Sequence, residues 1–389
     1  MANISGALDG RAAPHQHLPS NCMIEPPPQD FDRTRWKDAR WSRWSFRNTA
    51  HFLPTCAVAA SPNPRPLQLG TPWRPEGFET FLAETHATSA ILLTGGAVSA
   101  EHPAGAASDP RPHMLFSITK SVVGLVARML IVQGEVDAER RVSDYLADLA
   151  GTAFGDATLA GLLDMEDGVA FDETYADPAA DIHTYSRGYW GDANGGARGQ
   201  LAALPRRPTV TGFSYRTPVA DVVGAVLTAS TGVRLSTLVE TLLWNPMGAA
   251  HDAHFLLDTD GVEIAGAGLN AAPADLARLA LLLLDRGAWN GRQVLAERVA
   301  DALFEGGDMD AFARGYSGRP GWSYRDLWWH MGGERLAALG VHGQRLIIDR
   351  KSNFVLVRTG AQPEPDNRPI DPAHDSILVA IEDRRTGQH

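Results

Sequence analysis

Apolar residues recur with helical spacing from Ile118 to Gln133, at Val122, Val123, Leu125, Val126, Met129 and Leu130, and Gly134 follows where a C-cap belongs. The pattern predicts a buried helix that starts just after Ser117. A second strong amphipathic helix is predicted over Pro273 to Leu284, opened by proline in its first turn and closed near Gly287. Weaker helical patterns cover Pro75 to His86, Val142 to Leu149, Leu159 to Met165, Pro218 to Ser230, Leu235 to Leu243 and about His374 to Asp383. Strand patterns stand at the two ends. Ala90 to Thr94 reads as a buried strand turning at Gly95-Gly96 into a second, and Leu346 to Ile348 and Phe354 to Arg358 alternate around Asp349 to Asn353 as a hairpin.

Because both ends supply strands and the middle reads as helix and loop, the expected class is α+β: an antiparallel sheet flanked by helices, with a mainly α-helical inserted domain. The predicted organisation is an irregular, Pro-, Arg- and Trp-rich wrap over residues 1–70, partly ordered by Trp36, Trp41 and Trp44, then a sheet domain from 71–116 and 260–389. A mainly helical domain spans 117–259, with the active site between the two. One stretch, Gly168 to Gly212, reads as a long loop. It carries Tyr175, Tyr185, Tyr189 and Trp190, which makes it a candidate binding wall.

Composition narrows the partners. Of 389 residues, 44% are hydrophobic and 21% charged, a globular balance, and the net charge of -11 argues against a nucleic-acid surface. The longest apolar run, Leu279 to Leu284, is far short of the roughly 20 residues that span a bilayer, so no membrane partner is expected. Met1 to His15 lacks a charged segment followed by an apolar one, which makes cytoplasmic residence the default; a homodimer is the default assembly. Cys22 and Cys56 allow one disulfide at most.

The candidate chemistry lies at Ser117-Ile118-Thr119-Lys120, because a serine and a lysine three positions later share one face of a helix. Lysine occurs only at Lys37, Lys120 and Lys351 among 35 basic residues. Arginine cannot give up its proton, whereas a partly buried lysine can, so position 120 holds the one basic residue type able to serve as a proton acceptor. At the helix N-terminus, Ser117 also stands where backbone N–H groups favour a developing anion. Tyr215, just ahead of the helix at Pro218, is the candidate second proton carrier, with a pKa expected to be lowered by the lysine ammonium. The glycine-flanked run Leu339-Gly340-Val341-His342-Gly343-Gln344 offers the backbone N–H of Val341, which with that of Ser117 would form an oxyanion hole.

Other motifs carry less. Gly266-Ala267-Gly268-Leu269-Asn270-Ala271 matches a dinucleotide-binding pattern but has no βαβ unit around it, and His251 and His254 lack a third metal ligand. No cofactor and no metal are expected. The absence of a G-x-S-x-G elbow disfavours an α/β-hydrolase.

Taken together, Ser117-x-x-Lys120, Tyr215 and the strand after residue 339 resemble the serine β-lactamase and penicillin-binding superfamily, especially its class C and esterase branches. Within it the chain looks most like the 6-aminohexanoate-dimer hydrolases, which cleave nylon oligomers. Similar segments are Phe116 to Ser121, Tyr175-Ala176-Asp177-Pro178, Asp275-Leu276-Ala277-Arg278, Trp328-Trp329 and Val341 to Gln344. The resemblance implies Ser117 as the acylated nucleophile, Lys120 as its activator and Tyr215 as proton shuttle. It matches Tyr175 to a loop tyrosine that closes over substrate, and puts Trp190, Ser186, Thr217, Trp328, Trp329 and His342 at the substrate. Two departures shift the expected substrate. The Lys-Thr-Gly of the β-lactamases becomes Leu339-Gly340-Val341, which removes the usual cation for a β-lactam carboxylate. Ser186 stands where strongly amidase-active relatives carry a carboxylate. The expectation is a serine hydrolase acting on carboxylic esters and linear amides through an acyl-enzyme. The alternatives are a β-lactamase or D-aminopeptidase-like penicillin-recognising enzyme, and a non-catalytic binding or sensor protein on the same fold.

Overall fold

A computed structural model describes residues 25–191, 194–204 and 211–386. Its larger sheet has seven antiparallel strands, in the order Ala97–His102, Ala87–Thr94, Phe354–Gly360, Gln344–Asp349, Arg335–Gly340, Trp328–His330 and Ser323–Arg325. The first two come from before the serine and the other five from the C-terminal third. Phe354–Gly360 pairs with Ala87–Thr94 on one side and with Gln344–Asp349 on the other, and all seven of its residues are buried. A strand buried on both faces needs cover above and below, and its run of Phe, Val and Leu supplies apolar side chains to each.

A second sheet of four short strands runs Thr55–Val58, Ala253–Leu256, Leu269–Ala271 and His113–Met114. It draws three distant parts of the chain to one place, directly before the serine. Met114 N–H donates to Phe46 O at 2.7 Å and Leu115 N–H to Leu269 O at 3.0 Å, which fixes the approach to Ser117.

Three of the predicted helices are found where the sequence places them. The serine helix is Ile118–Gln133, closed by Gly134 at φ 80°, and Pro273–Leu284 has the predicted limits. The helix after Tyr215 is Pro218–Thr231. Twelve of the sixteen residues in the serine helix are buried, so it is a core element and its position is set by packing on nearly every side.

Elsewhere the expectations need correction. Val142 to Leu149 forms two 3₁₀ turns, Val142–Asp144 and Ala147–Leu149, and the Leu235 helix passes from α at Leu235–Val239 to π at Glu240–Trp244. The middle holds a strand, Ala253–Leu256, and the N-terminal stretch holds a helix, Ala39–Ser45, and the strand Thr55–Val58. The supposed long loop contains two helices, Asp181–Trp190 and Gly196–Ala203. Ile182, Tyr185 and Tyr189 are the buried face of the first, at spacings of three and four, a helical pattern hidden by the glycines around it. Cys22 lies outside the described residues; Cys56 Sγ rests 3.3 Å from Ser236 Oγ. Among the described residues no single helix is long and apolar enough to cross a membrane.

The serine helix is docked on the turn before the strand Trp328–His330. Arg128 makes a forked pair with Asp326, at 3.0 and 2.6 Å, and Ser121 Oγ donates to Leu327 O at 2.8 Å. Gly124 lets the backbones touch: a Cβ there would stand 1.9 Å from Asp326 O. Gly124→Ala is therefore expected to destabilise the protein by about 3 kcal/mol, because the contact is with backbone that cannot swing away. Thermal unfolding checks this, and a melting temperature within about 2 °C of wild type would show that the helix has room to shift.

Candidate active site

Ser117 sits at the N-cap position of its helix, after Phe116 in the left-handed region at φ 48°. One turn on, Lys120 is 1% exposed, and its Nζ contacts three oxygens: Ser117 Oγ at 2.8 Å, Thr217 Oγ1 at 3.2 Å and Gly266 O at 2.6 Å. None belongs to a carboxylate. Burial pulls the Lys120 pKa down to about 8, and the nearby Glu173 and Asp221 charges keep it from falling further. An amine that titrates there can donate to Ser117 Oγ when charged and is chemically able to accept a proton along the same line when neutral.

Tyr215 lies near the same serine, whose hydroxyl acts on the phenol. Its ring centroid lies 5.2 Å from Lys120 Nζ and stacks on Trp329 at 5.3 Å. The expectation of a lowered pKa is overturned. Burial, and then the Glu173 charge, push the phenol well above its ordinary value, so it stays protonated. Arg216 beside it is fully buried and forks onto Asp167 at 2.8 and 2.6 Å, with further bonds to Ser214 O and Met165 O. It anchors the turn that presents Tyr215 and Thr217.

Two carboxylates that the sequence reading did not single out complete this polar core. Glu173 accepts from Thr217 Oγ1 at 2.6 Å, from Thr217 N–H, and from Tyr175 Oη at 3.1 Å; burial raises its pKa and Lys120 opposes the rise. Asp221 accepts from Tyr185 Oη at 2.8 Å, from Tyr189 Oη and from Gly266 N–H at 2.8 Å, and burial lifts it to about 6. Gly266 is thus held by its N–H while its carbonyl takes Lys120. A side chain there would meet Tyr189 Oη at 2.4 Å. The Gly-x-Gly pattern at 266 is a wall of this site, and its glycine is demanded by close packing.

Val341 follows the strand Arg335–Gly340, and Gly340 permits its close approach, since a Cβ there would lie 2.5 Å from Leu115 O. Among the described residues, neither Ser117 N–H nor Val341 N–H donates to a backbone carbonyl. His342 next to it is in the left-handed region at φ 58°; its Nδ1 lies 2.8 Å from Gln362 O, which only accepts, so that nitrogen carries the proton. Burial lowers His342 to about 4, which leaves it neutral.

These groups open on a cavity of about 560 Å³. Of the sequence-predicted residues, Ser117, Thr217, Val341 and His342 line it from the sheet and serine side, and Tyr175, Ser186 and Trp190 from the 173–190 segment. Lys120 and Tyr215 stand behind Ser117. Ser186 Oγ donates to His183 O at 3.1 Å. Trp329 packs on Tyr215 and does not reach the cavity wall, and Trp328 is a core residue, 1% exposed, whose Nε1 donates to Ser121 O at 2.9 Å. Neighbours in a strand point to opposite faces, so the pair cannot both meet a substrate. The two histidines weighed as ligands lie elsewhere: His251 Nδ1 is 3.0 Å from Asp275 and His254 Nε2 is 3.1 Å from Thr49 Oγ1.

A sheet of this order with a buried Ser-x-x-Lys helix against it is the β-lactamase-like fold, and the comparisons agree. The family model described as Beta-lactamase matches residues 79–379, and the chain belongs to that family of hydrolases. It is 31% identical over 363 residues to the 6-aminohexanoate-dimer hydrolase of Paenarthrobacter ureafaciens, covering 89% of this chain and 92% of that one. Among solved structures, a Bacillus anthracis protein assigned as a 6-aminohexanoate-dimer hydrolase is similar in fold, with a TM-score of 0.82 and 22% identity over 93% of this chain and 99% of that one. The acyltransferase-competent hydrolase EstCE1 is more distant, at TM-score 0.58 and 18% identity over 78% of this chain and 96% of that one.

The charge arrangement generates a pH prediction. Activity that needs a neutral Lys120 rises with pH through about 8, the value to which burial lowers it. Glu173→Gln removes a charge that favours the protonated amine, so the rising limb of kcat/KM for a p-nitrophenyl ester should move down by about one pH unit. A limb that stays in place or moves up would show that Glu173 does not set the lysine.

Proposed function

We propose that this chain is a cofactor-free serine hydrolase that cleaves carboxylic esters and linear amides of the 6-aminohexanoate-oligomer type through an acyl-enzyme on Ser117. The observation that carries the reading is a buried lysine amine 2.8 Å from the serine hydroxyl with no carboxylate bonded to it. Neutral Lys120 takes the Ser117 proton as Oγ attacks the substrate carbonyl. The oxyanion forms between the N–H groups of Ser117 and Val341, at the positive end of the serine helix. Tyr215, protonated and close to the serine, gives its proton to the departing alkoxide or amine and recovers one from Lys120. Water then attacks the acyl carbonyl by the reverse of these transfers, and the serine is freed. The site lies between the sheet domain of 71–116 and 260–389 and the helical domain of 117–259.

Two features support esters and linear amides over β-lactams. The position of the family's second lysine is Leu339, which offers no cation to a β-lactam carboxylate. The relative at 31% identity is a 6-aminohexanoate-dimer hydrolase, and a family VIII carboxylesterase shares the fold at a TM-score of 0.57.

Purified Ser117→Ala protein is expected to lose at least about a thousandfold in kcat/KM on short p-nitrophenyl esters, while wild type gains the mass of one adduct from an organophosphonate and the variant gains none. Hydrolysis that survives in Ser117→Ala, or labelling that persists in it, would place the nucleophile elsewhere.

A further inference from the structure

One wall of the cavity comes from the N-terminal stretch, through Lys37, Asp38 and Arg40, and the steps above do not use it. Asp38 pairs with Arg35 at 2.6 Å and Arg40 pairs with Asp30, each with a neighbour of its own segment. Lys37 differs. Its Nζ lies 4.9 Å from the ring centroid of Trp190 and 5.8 Å from that of Trp36, two rings that meet edge to face at 5.6 Å. Among the described residues no carboxylate lies within ion-pair distance of it. The aromatic faces hold the ammonium in place by cation–π attraction, yet they supply no anion.

The rest of the cavity is short of cations. The His342 beside the oxyanion position is neutral at ordinary pH, and Lys120 is behind Ser117 and occupied by three oxygens. Glu364 is an exposed anion on the same wall, and His183 Nε2 bonds to Tyr175 O at 3.1 Å. In a chain that uses arginine for 32 of its 35 basic residues, a lone lysine stands where one compact positive charge faces the cavity beside Trp190. Burial brings its pKa to about 8 against the opposing pull of the neighbouring Asp38 charge, so it remains cationic at neutral pH.

We propose that Lys37 is the specificity determinant for a free carboxylate: it pairs with the anionic end of a flexible substrate whose scissile carbonyl lies at Ser117. The inference rests on the hydrolase reading above and adds the substrate class, esters and linear amides that carry a terminal monocarboxylate.

The test compares matched substrates that differ only in that charge. On the acyl side these are the p-nitrophenyl monoester of adipic acid and the p-nitrophenyl ester of monomethyl adipate; on the leaving-group side, butyryl 6-hydroxyhexanoate and its methyl ester. Lys37→Met should lower the ratio of kcat/KM for the anionic over the neutral substrate by about tenfold in at least one pair, and Lys37→Arg should restore most of it, the size expected of one charge-assisted bond. A structural clip alone would affect both members equally. A ratio that moves by less than about twofold in both pairs overturns the proposal. Calorimetry of the two anionic esters binding to Ser117→Ala with and without Lys37→Met decides the same point independently of turnover. If no ester is hydrolysed in a Ser117-dependent way, the hydrolase reading falls, while the binding comparison still judges Lys37.

Discussion

The arrangement depends on a lysine amine kept out of water. Lys120 is enclosed by the serine helix, the Tyr215–Thr217 turn and the Gly266 backbone, and every hydrogen bond it makes is to a neutral oxygen. An isolated buried ammonium is costly, and the protein limits that cost with two carboxylates placed close by but not in contact. Direct pairing with Glu173 or Asp221 would lock the amine in its charged form. Complete isolation would strip its proton altogether. The intermediate placement leaves it near 8, with the Ser117 hydroxyl 2.8 Å away.

That placement explains much of the surrounding structure. Asp221 is itself held by two buried tyrosines and by Gly266 N–H, so the carbonyl that receives Lys120 is fixed from behind. Glu173 is held by Thr217 and Tyr175, and its charge adds to the burial that keeps Tyr215 protonated. The buried Arg216–Asp167 pair holds the turn between them. Glycines appear where elements must touch: Gly124 against the Asp326 turn, Gly340 against Leu115 and Gly266 against Tyr189. The first seats the serine helix, the second brings Val341 to the cavity it shares with Ser117, and the third closes the lysine pocket.

What could be read from the sequence was local or strongly periodic. The serine helix and the two proline-opened helices show full apolar faces with terminal signals, and Ser-x-x-Lys needs only one turn of helix to be meaningful. Glu173, Asp221 and Gly266 join the site through contacts between segments up to 146 residues apart, as between Lys120 and Gly266, and no spacing announces such a contact. Asp181–Trp190 was hidden because its apolar face is aromatic and flanked by glycine. Trp328 was drawn into the site by its neighbour Trp329, although strand alternation turns it into the core. The direction of the Tyr215 shift was missed because the nearby lysine was visible in the motif and the burial and the glutamate were not.

The central claim is that Lys120 titrates far below an ordinary lysine, and the chain's three lysines make it directly measurable. Protein carrying ¹³Cε-labelled lysine should give three resonances, assigned by the signal lost in Lys120→Arg and in Lys37→Met. The account predicts that the Lys120 signal titrates with a midpoint of about 8, while a midpoint near the ordinary lysine value of about 10.4 would contradict it.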